Sequence, residues 1–288
     1  MGLMYMGTLE KMQMVRCALS EWDVGNTGYA EVLNYVNGGA DVVSSFASSR
    51  TFDLSWSGTP NEINPIKHYQ QGYYGNGLIY LSDPMTWHYN VIPPNWASPR
   101  LIEVGDWKNI YDTTPTFANT ASNVYNQPKR TATWNITTAA GGVPTKVLTI
   151  PIPPSQTLYV GFSGAVTGTG VVRTRPVNSD GSYGATIDLT PLSATGATRT
   201  SWSFTGYSAV QIYLTRTSSA TSTVSVTSML GQIWSGGVTP TPGPHIPGEG
   251  FTGLKFASAV HETYYQAAGV GRERKGASVA LVEAESWL

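Results

Sequence analysis

Apolar and polar residues alternate over much of the chain, which is the pattern of β-strands with one buried face. The clearest example is Arg50–Trp56, where Phe52, Leu54 and Trp56 would share one face of a strand. Upstream, the Asn-Gly-Gly tripeptide at 37–39 stands between two short apolar segments and predicts a hairpin. The first part of the chain is therefore predicted to consist of antiparallel strands.

One segment carries the signals of an α-helix. Thr59 and Glu62 have the spacing of a capping box, and Asn64 offers a second N-cap with Pro65 at the first helical position. Gly72 is predicted to end the helix, because glycine readily adopts the left-handed conformation that follows many helices. Beyond it, Leu78–Leu81 is predicted to be a short buried strand.

From residue 129 the composition shifts to Thr, Ser, Val and Gly, and short strand patterns alternate with turn residues. Such strands at intervals of about 8–12 residues are typical of an antiparallel sandwich or jelly roll. The predicted strands are Thr131–Thr137, Lys146–Ile152, Thr157–Phe162, Gly170–Arg175, Ala185–Leu189, Thr198–Phe204, Ala209–Thr215 and Thr223–Trp234.

The remaining segments set the domain organisation. The Pro- and Gly-rich segment 235–250 is predicted to be a linker. Segment 251–288 ends in a hairpin pattern and is too short to fold alone, so it either packs back on the first domain, which we expect, or straps onto a neighbouring copy. We therefore predict an all-β protein of two antiparallel β domains. One is split between 1–125 and 251–288, and the other is a jelly-roll or lectin-like β-sandwich inserted at 129–234.

Charge excludes several classes of partner. Lys and Arg number 17 and Asp and Glu 18, and only 12% of the 288 residues are charged. A net charge of −1 provides no basic surface, so no nucleic-acid partner is expected. We also expect neither membrane insertion nor a signal peptide, because no long apolar run occurs. Weak repulsion between copies favours a protein that is built into an assembly.

Candidate chemistry is sparse. Cys17 is the single cysteine and the four histidines lack metal-ligand spacing, so no metal and no cofactor are expected. A glycosidase needs paired carboxylates, and Asp180 and Asp188 are poor candidates, since Asp180 stands in an Asn-Ser-Asp-Gly turn. We therefore expect no enzymatic activity. The charged segment Arg272–Lys275 is expected to be a solvated hairpin turn.

Segment Tyr69–Arg100, which we call the aromatic stretch, combines large aromatic side chains with four prolines. Proline restricts the backbone, so such a segment loses little entropy when it becomes ordered. It is either an internal plug or a contact surface, since Tyr and Trp are common in both settings. The candidate residues for an oligomer interface are Tyr73, Tyr74, Trp87 and Trp96.

The predicted sandwich also offers aromatic side chains to a carbohydrate. Tyr183 and Tyr207 are the candidates for stacking on sugar rings. Trp134, Trp202 and Tyr213 lie in strand patterns and are expected to face the sandwich interior instead.

The aromatic stretch also carries a family resemblance. The runs GYYGNGLIYLSDPM and NVIPPNWASP resemble minor tail proteins of long-tailed actinobacterial phages and, more loosely, the distal tail proteins of siphophages. The run NGGADVVSSFASSRTFDLSWSG, from Asn37, and the runs FTGLKFASAVHETYYQ and RKGASVALVEAESWL near the end resemble the same proteins. These segments frame the predicted sandwich, which has no specific motif of its own.

The resemblance implies a structural virion protein of the phage tail tip, assembled in the host cytoplasm. It would form a homo-oligomeric ring, with six copies expected first and three second, that joins the tail tube to the tip or baseplate. Its implied partners are the tail tube protein, the tape measure and other tail-tip proteins, including those that recognise the host. The alternative is a carbohydrate-binding module that recognises host cell-surface glycans.

Overall fold

We describe the protein from a computed structural model. The structure describes residues 3–16, 23–34, 40–75, 77–84, 86–93, 97, 116–120, 129–136, 140–143, 147–191, 202–235, 250, 253–266 and 273–284. These residues form 17 strands and one α-helix. The expectation of an all-β fold is confirmed.

The elements follow one another along the chain with the single helix after the fourth strand. They are β1 (Leu3–Gly7), β2 (Met12–Arg16), β3 (Asp23–Asn34), β4 (Ala40–Gly58), α1 (Pro60–Gln70), β5 (Tyr80–Ser82), β6 (Thr116–Thr120), β7 (Lys129–Ile136), β8 (Leu148–Pro151), β9 (Gln156–Thr167), β10 (Gly170–Val177), β11 (Ile187–Leu189), β12 (Trp202–Thr205), β13 (Ala209–Arg216), β14 (Ser222–Ser235), β15 (Leu254–Phe256), β16 (His261–Gln266) and β17 (Glu273–Glu283).

The two ends of the chain share a sheet in the order β15-β17-β4-β3, and β16 also pairs with β17. Residues 275–282 of β17 pair with residues 51–58 of β4, antiparallel. The predicted C-terminal hairpin is present as β16 and β17. A separate three-stranded sheet has the order β2-β1-β5. The domain boundaries given above stay predictions.

Strand β4 is one continuous strand of 19 residues, where the sequence indicated two. A register shift in its pairing with β3, between Thr27 and Tyr29, accommodates the extra length. Phe52, Leu54 and Trp56 are buried on one face, as the alternation predicted. They form a core with apolar residues of β1, α1 and β17.

Helix α1 begins after Thr59, the first of the two predicted N-caps, and ends close to the predicted Gly72, so that Pro65 lies inside it. The Thr59 N–H donates to Glu62 Oε2 at 2.8 Å, which is one half of a capping box. The chain leaves the helix through Gly72, whose φ of 74° is costly for other residues. The helix buries Ile63, Ile66 and Tyr69 against the core of the first sheet.

Strands β6 to β14 form two facing antiparallel sheets. One has the order β12-β9-β14-β7-β6 and the other β11-β10-β13-β8. The order β7-β14-β9-β12 opposite β8-β13-β10-β11 is the eight-stranded jelly roll. Each strand predicted in this region is present, and Trp134, Phe162 and Phe204 fill the space between the sheets.

Two residues differ from their predictions. Trp202 lies on the same strand face as the buried Phe204, but it starts β12 at the edge of the described sheet and is 38% exposed. Lys275 is not in a solvated turn. Strand β17 already begins at Glu273, so Lys275 lies opposite Gly58 and is 3% exposed.

Candidate functional site

Part of the aromatic stretch is an internal plug. Trp87, Val91 and Ile92 belong to the jelly-roll core, and the Trp87 side chain is only 8% exposed. The indole N–H of Trp87 donates to Ser82 Oγ at 2.8 Å, which satisfies its only polar atom. Trp87, a candidate for the oligomer interface, is therefore placed inside the chain.

The backbone of the aromatic stretch lies beside β14 like an additional strand. Strand β7 pairs only with residues 222–226 of β14 and leaves the rest of that side to another partner. The Val91 N–H donates to Gly231 O at 2.9 Å, and the Ile233 N–H donates to Trp87 O at 3.0 Å. This segment thus covers an edge that would otherwise bury unsatisfied backbone groups.

The Asn90 side chain stabilises this contact and is fully buried. Its Nδ2 donates to Met229 O at 2.9 Å. Its Oδ1 accepts the Gly231 N–H at 3.0 Å and the Ile92 N–H at 3.2 Å. One side chain therefore pairs with three buried backbone groups, a role that the sequence analysis missed, because its main partners lie about 140 residues away.

The other candidates for the oligomer interface differ in exposure. Tyr73 is 73% exposed, and its ring meets the His68 ring edge-on, with ring centroids 5.3 Å apart. Tyr74 is half-buried against the first core, and its ring lies 4.9 Å from that of Tyr69. Trp96 lies outside the described residues. Tyr89, in the same stretch, is 50% exposed.

A cleft of about 290 Å³ lies between the three-stranded sheet and the β11-β10-β13-β8 sheet of the jelly roll. The first wall includes the β1–β2 turn and the residues that lead into β5. The second wall includes β8, β13 and the turn that follows β10. The polar side chains that line it are Thr8, Glu10, Tyr80, Thr149, Tyr183 and Gln211.

Tyr183 is the exposed aromatic ring of this cleft, with 50% of its surface accessible. It forms a β-bridge with Val177, which fixes its backbone at the end of the turn. The Arg175 guanidinium lies 3.8 Å from the centre of its ring, a cation–π contact. Arg175 also donates from Nε to Gln211 Oε1 at 2.9 Å.

The wall formed by the three-stranded sheet contains a buried tyrosine, Tyr80, and an exposed carboxylate, Glu10. Burial raises the pKa of Tyr80 to about 12, and a hydrogen bond to Thr149 opposes the rise. Tyr80 therefore stays neutral at physiological pH. The Glu10 carboxylate lies against Gly75: a Cβ added at Gly75 would be 2.6 Å from Glu10 Oε2.

The remaining sequence candidates have structural partners. Tyr207 is half-buried and does not line the cleft: a Cβ added at Gly184 would be 2.9 Å from its ring. Asp180 accepts the Ser182 hydroxyl and N–H, and these bonds lower its pKa. Asp188 accepts Arg173 Nη2 at 2.9 Å. Both carboxylates serve local structure.

Among the described residues, no three His, Cys, Asp or Glu side chains are grouped as metal ligands. Of the helical residues placed by the structure, none form a segment long and apolar enough to cross a membrane.

Comparison with known proteins gives distant structural likenesses only. No protein-family model matches the sequence, and no curated protein matches it. Among solved structures, the chain is similar to the VP2 subviral particle of infectious bursal disease virus, with 11% identity and a TM-score of 0.26. That match covers 98% of this chain and 76% of the other.

The T13 viral particle of the same virus matches with 12% identity and a TM-score of 0.26, covering 98% and 74% of the two chains. The Gt strain structure matches with 12% identity and a TM-score of 0.23, covering 98% and 75%. TM-scores this low do not establish a shared fold.

Proposed function

We propose that the protein is a structural component of a phage tail tip and that copies of it form a ring joining the tail tube to the tip. The proposal rests on the resemblance described above and on one observation. The segments that carry the resemblance are far apart in sequence and contact one another in the fold. Residues 51–58 pair with 275–282, and Ile79 exchanges two backbone hydrogen bonds with Leu254.

This arrangement supports a common role for the three segments. Segments that resemble a family only because they form similar local structure need not lie close together in the fold. Segments that build one assembly surface must fold into a single unit. The aromatic stretch packs against the jelly-roll core through Trp87 and exposes Tyr73 and Tyr89 on its outer side. Exposed tyrosine is typical of protein interfaces, so Tyr73 is the residue we assign to the ring contact.

The proposed role is non-catalytic. Asp180 and Asp188 are engaged in hydrogen bonds with Ser182 and Arg173. Six copies in the ring are the first expectation and three the second. The ring would belong to the virion, with the tail tube protein, the tape measure and other tail-tip proteins as its neighbours.

The proposal is tested by comparing the wild-type chain with Tyr73→Ala in sedimentation velocity experiments. Because Tyr73 makes little contact within its own chain, the variant should keep its melting temperature and lose the oligomer. Tyr183→Ala is the matched control, since Tyr183 is an exposed tyrosine as well, at 50%, but lies on the jelly roll. If Tyr73→Ala sediments as the wild type does, Tyr73 is not in the ring contact. If the wild-type chain is a monomer, the ring proposal fails.

A further inference from the structure

We propose that the cleft beside Tyr183 is a binding site for a neutral saccharide of one or two sugar rings. The inference is independent of the ring proposal, because it rests on a different surface. The cleft lies between the jelly roll and the three-stranded sheet, so its residues come from separate parts of the sequence. Sequence analysis named only Tyr183 among them.

The exposed ring of Tyr183 provides an aromatic platform in the cleft. Sugar rings bind to proteins by placing their C–H face on an aromatic ring while their hydroxyls bond to polar side chains nearby. Tyr183 is half-exposed, and Arg175 covers one face of its ring and holds it in place. The β-bridge to Val177 fixes the backbone of the platform, so little order has to be gained on binding.

The second argument is the set of hydrogen-bonding groups around the platform. The Oε1 of Gln211 is occupied by Arg175, which leaves the Gln211 NH₂ as a pair of donors. No acceptor for this NH₂ occurs among the described residues. Glu10 offers a carboxylate acceptor on the opposite wall. Donors and acceptors on facing walls suit a ligand with several hydroxyl groups, each of which both donates and accepts.

The third argument is charge, which selects a neutral ligand. A charged ligand of either sign would meet a charge of its own sign, because the Arg175 guanidinium lies 3.8 Å from the centre of the Tyr183 ring and the Glu10 carboxylate lies on the opposite wall. Neutral hydroxyl groups avoid both penalties.

The volume of the cleft limits the size of the ligand. A volume of about 290 Å³ is at the lower end of the roughly 300–1,000 Å³ of small-molecule sites. It admits one or two sugar rings and excludes a polymer segment buried along its whole length. The remainder of a longer glycan would extend into solvent.

The test uses the full chain and a panel of disaccharides and trisaccharides built from glucose, galactose, mannose, arabinose and N-acetylglucosamine. Saturation-transfer NMR at millimolar sugar identifies any that bind, and titration gives the Kd. Tyr183→Ala should weaken binding roughly three- to tenfold, the effect of losing one stacked ring. Tyr183→Phe should bind within about twofold of the wild type, since it keeps the ring.

A second variant tests the cleft without removing any side chain. A Cβ added at Gly77 meets no atom within 4 Å, so Gly77→Met should fold normally and fill the entrance with its side chain. We expect it to abolish binding. Tyr264→Ala, at a 69% exposed tyrosine outside the cleft, is the control and should bind as the wild type does.

The outcomes are distinct. If no sugar in the panel binds, or if a sugar binds equally to Tyr183→Ala and Gly77→Met, the cleft is not the proposed site. Phosphate or choline competing with the bound sugar would overturn the preference for a neutral ligand. Binding lost in both cleft variants and kept in Tyr264→Ala supports the assignment, whatever the oligomeric state of the chain.

Discussion

Replacing Asn90 with alanine tests whether the aromatic stretch is an integral part of the jelly roll. The side chain bonds the carbonyl of Met229 and the N–H groups of Gly231 and Ile92, all in a buried environment. Alanine leaves these three backbone groups without that partner. A buried polar group that loses its hydrogen bond costs at least about 1 kcal/mol, so we expect Asn90→Ala to lower the free energy of unfolding by about 3 kcal/mol.

The assay is equilibrium unfolding in urea, followed by tryptophan fluorescence and circular dichroism. The loss should appear as a lower midpoint with an unchanged slope, because the surface exposed on unfolding stays nearly the same. Asn61→Ala is the matched control. Asn61 is exposed in the first turn of α1, so its substitution should change the free energy by less than about 0.5 kcal/mol.

The reasoning would be refuted by a loss below about 1 kcal/mol in Asn90→Ala. Such a result would mean that water reaches Met229 and Gly231 and replaces the amide, so that the stretch lies loosely on the jelly roll. A loss equal to that of Asn61→Ala would have the same meaning.

Three further predictions concern the Glu262–Lys275 ion pair of the C-terminal hairpin and the close approach of Gly250 to Val91. Glu262→Gln should lower the free energy of unfolding by about 2–3 kcal/mol in urea titrations at pH 7, because the buried Lys275 ammonium lies 2.6 Å from the Glu262 carboxylate. An unchanged midpoint of unfolding would contradict this prediction. Hydrogen bonds from Lys275 and Lys67 lower the pKa of Glu262 below its ordinary value of 4.5. Its stabilisation is therefore complete above pH 4.5 and is lost as pH falls through the lowered pKa, so the difference between wild type and Glu262→Gln should shrink in acid. Gly250→Ala should lower the free energy of unfolding by roughly 2–3 kcal/mol, since a Cβ there would lie 1.7 Å from Val91 O. Equal melting temperatures of the wild type and the variant would show that the close contact between Gly250 and Val91 is not required.

Local patterns were sufficient for most of the fold. The alternation of Phe52, Leu54 and Trp56 determines which face of β4 is buried, and the spacing of Thr59 and Glu62 fixes the start of α1. The jelly-roll strands were found from turn residues at regular intervals. Each of these signals is contained in about ten residues, so no knowledge of the partner element is needed.

The features missed in the sequence depend on distant partners. Asn90 is one polar residue in a loop until Gly231 and Met229 are placed beside it. Lys275 belongs to a charged run that usually marks a solvated turn, and only its pairing with β4 and its contact with Glu262 explain its burial. Trp202 has the alternation of an interior residue, but the position of β12 at the sheet edge exposes it.

The candidate site shows the same division. Tyr183 is a candidate because of its residue type, whereas Gln211 becomes its neighbour through the pairing of β10 with β13, and Glu10 only where two sheets meet. Tyr207 had the same sequence signal as Tyr183 and packs against Gly184 instead. Residue type therefore indicated the kind of ligand, and tertiary structure was needed to choose between the two tyrosines.

Electron microscopy of the purified chain, combined with mass measurement of single particles, tests the proposed assembly role most directly. The account predicts closed rings of equal subunits, six per ring as the first expectation and three as the second. Rings should disperse in Tyr73→Ala and persist in Tyr183→Ala. Single, unassociated copies at every concentration examined would contradict the account.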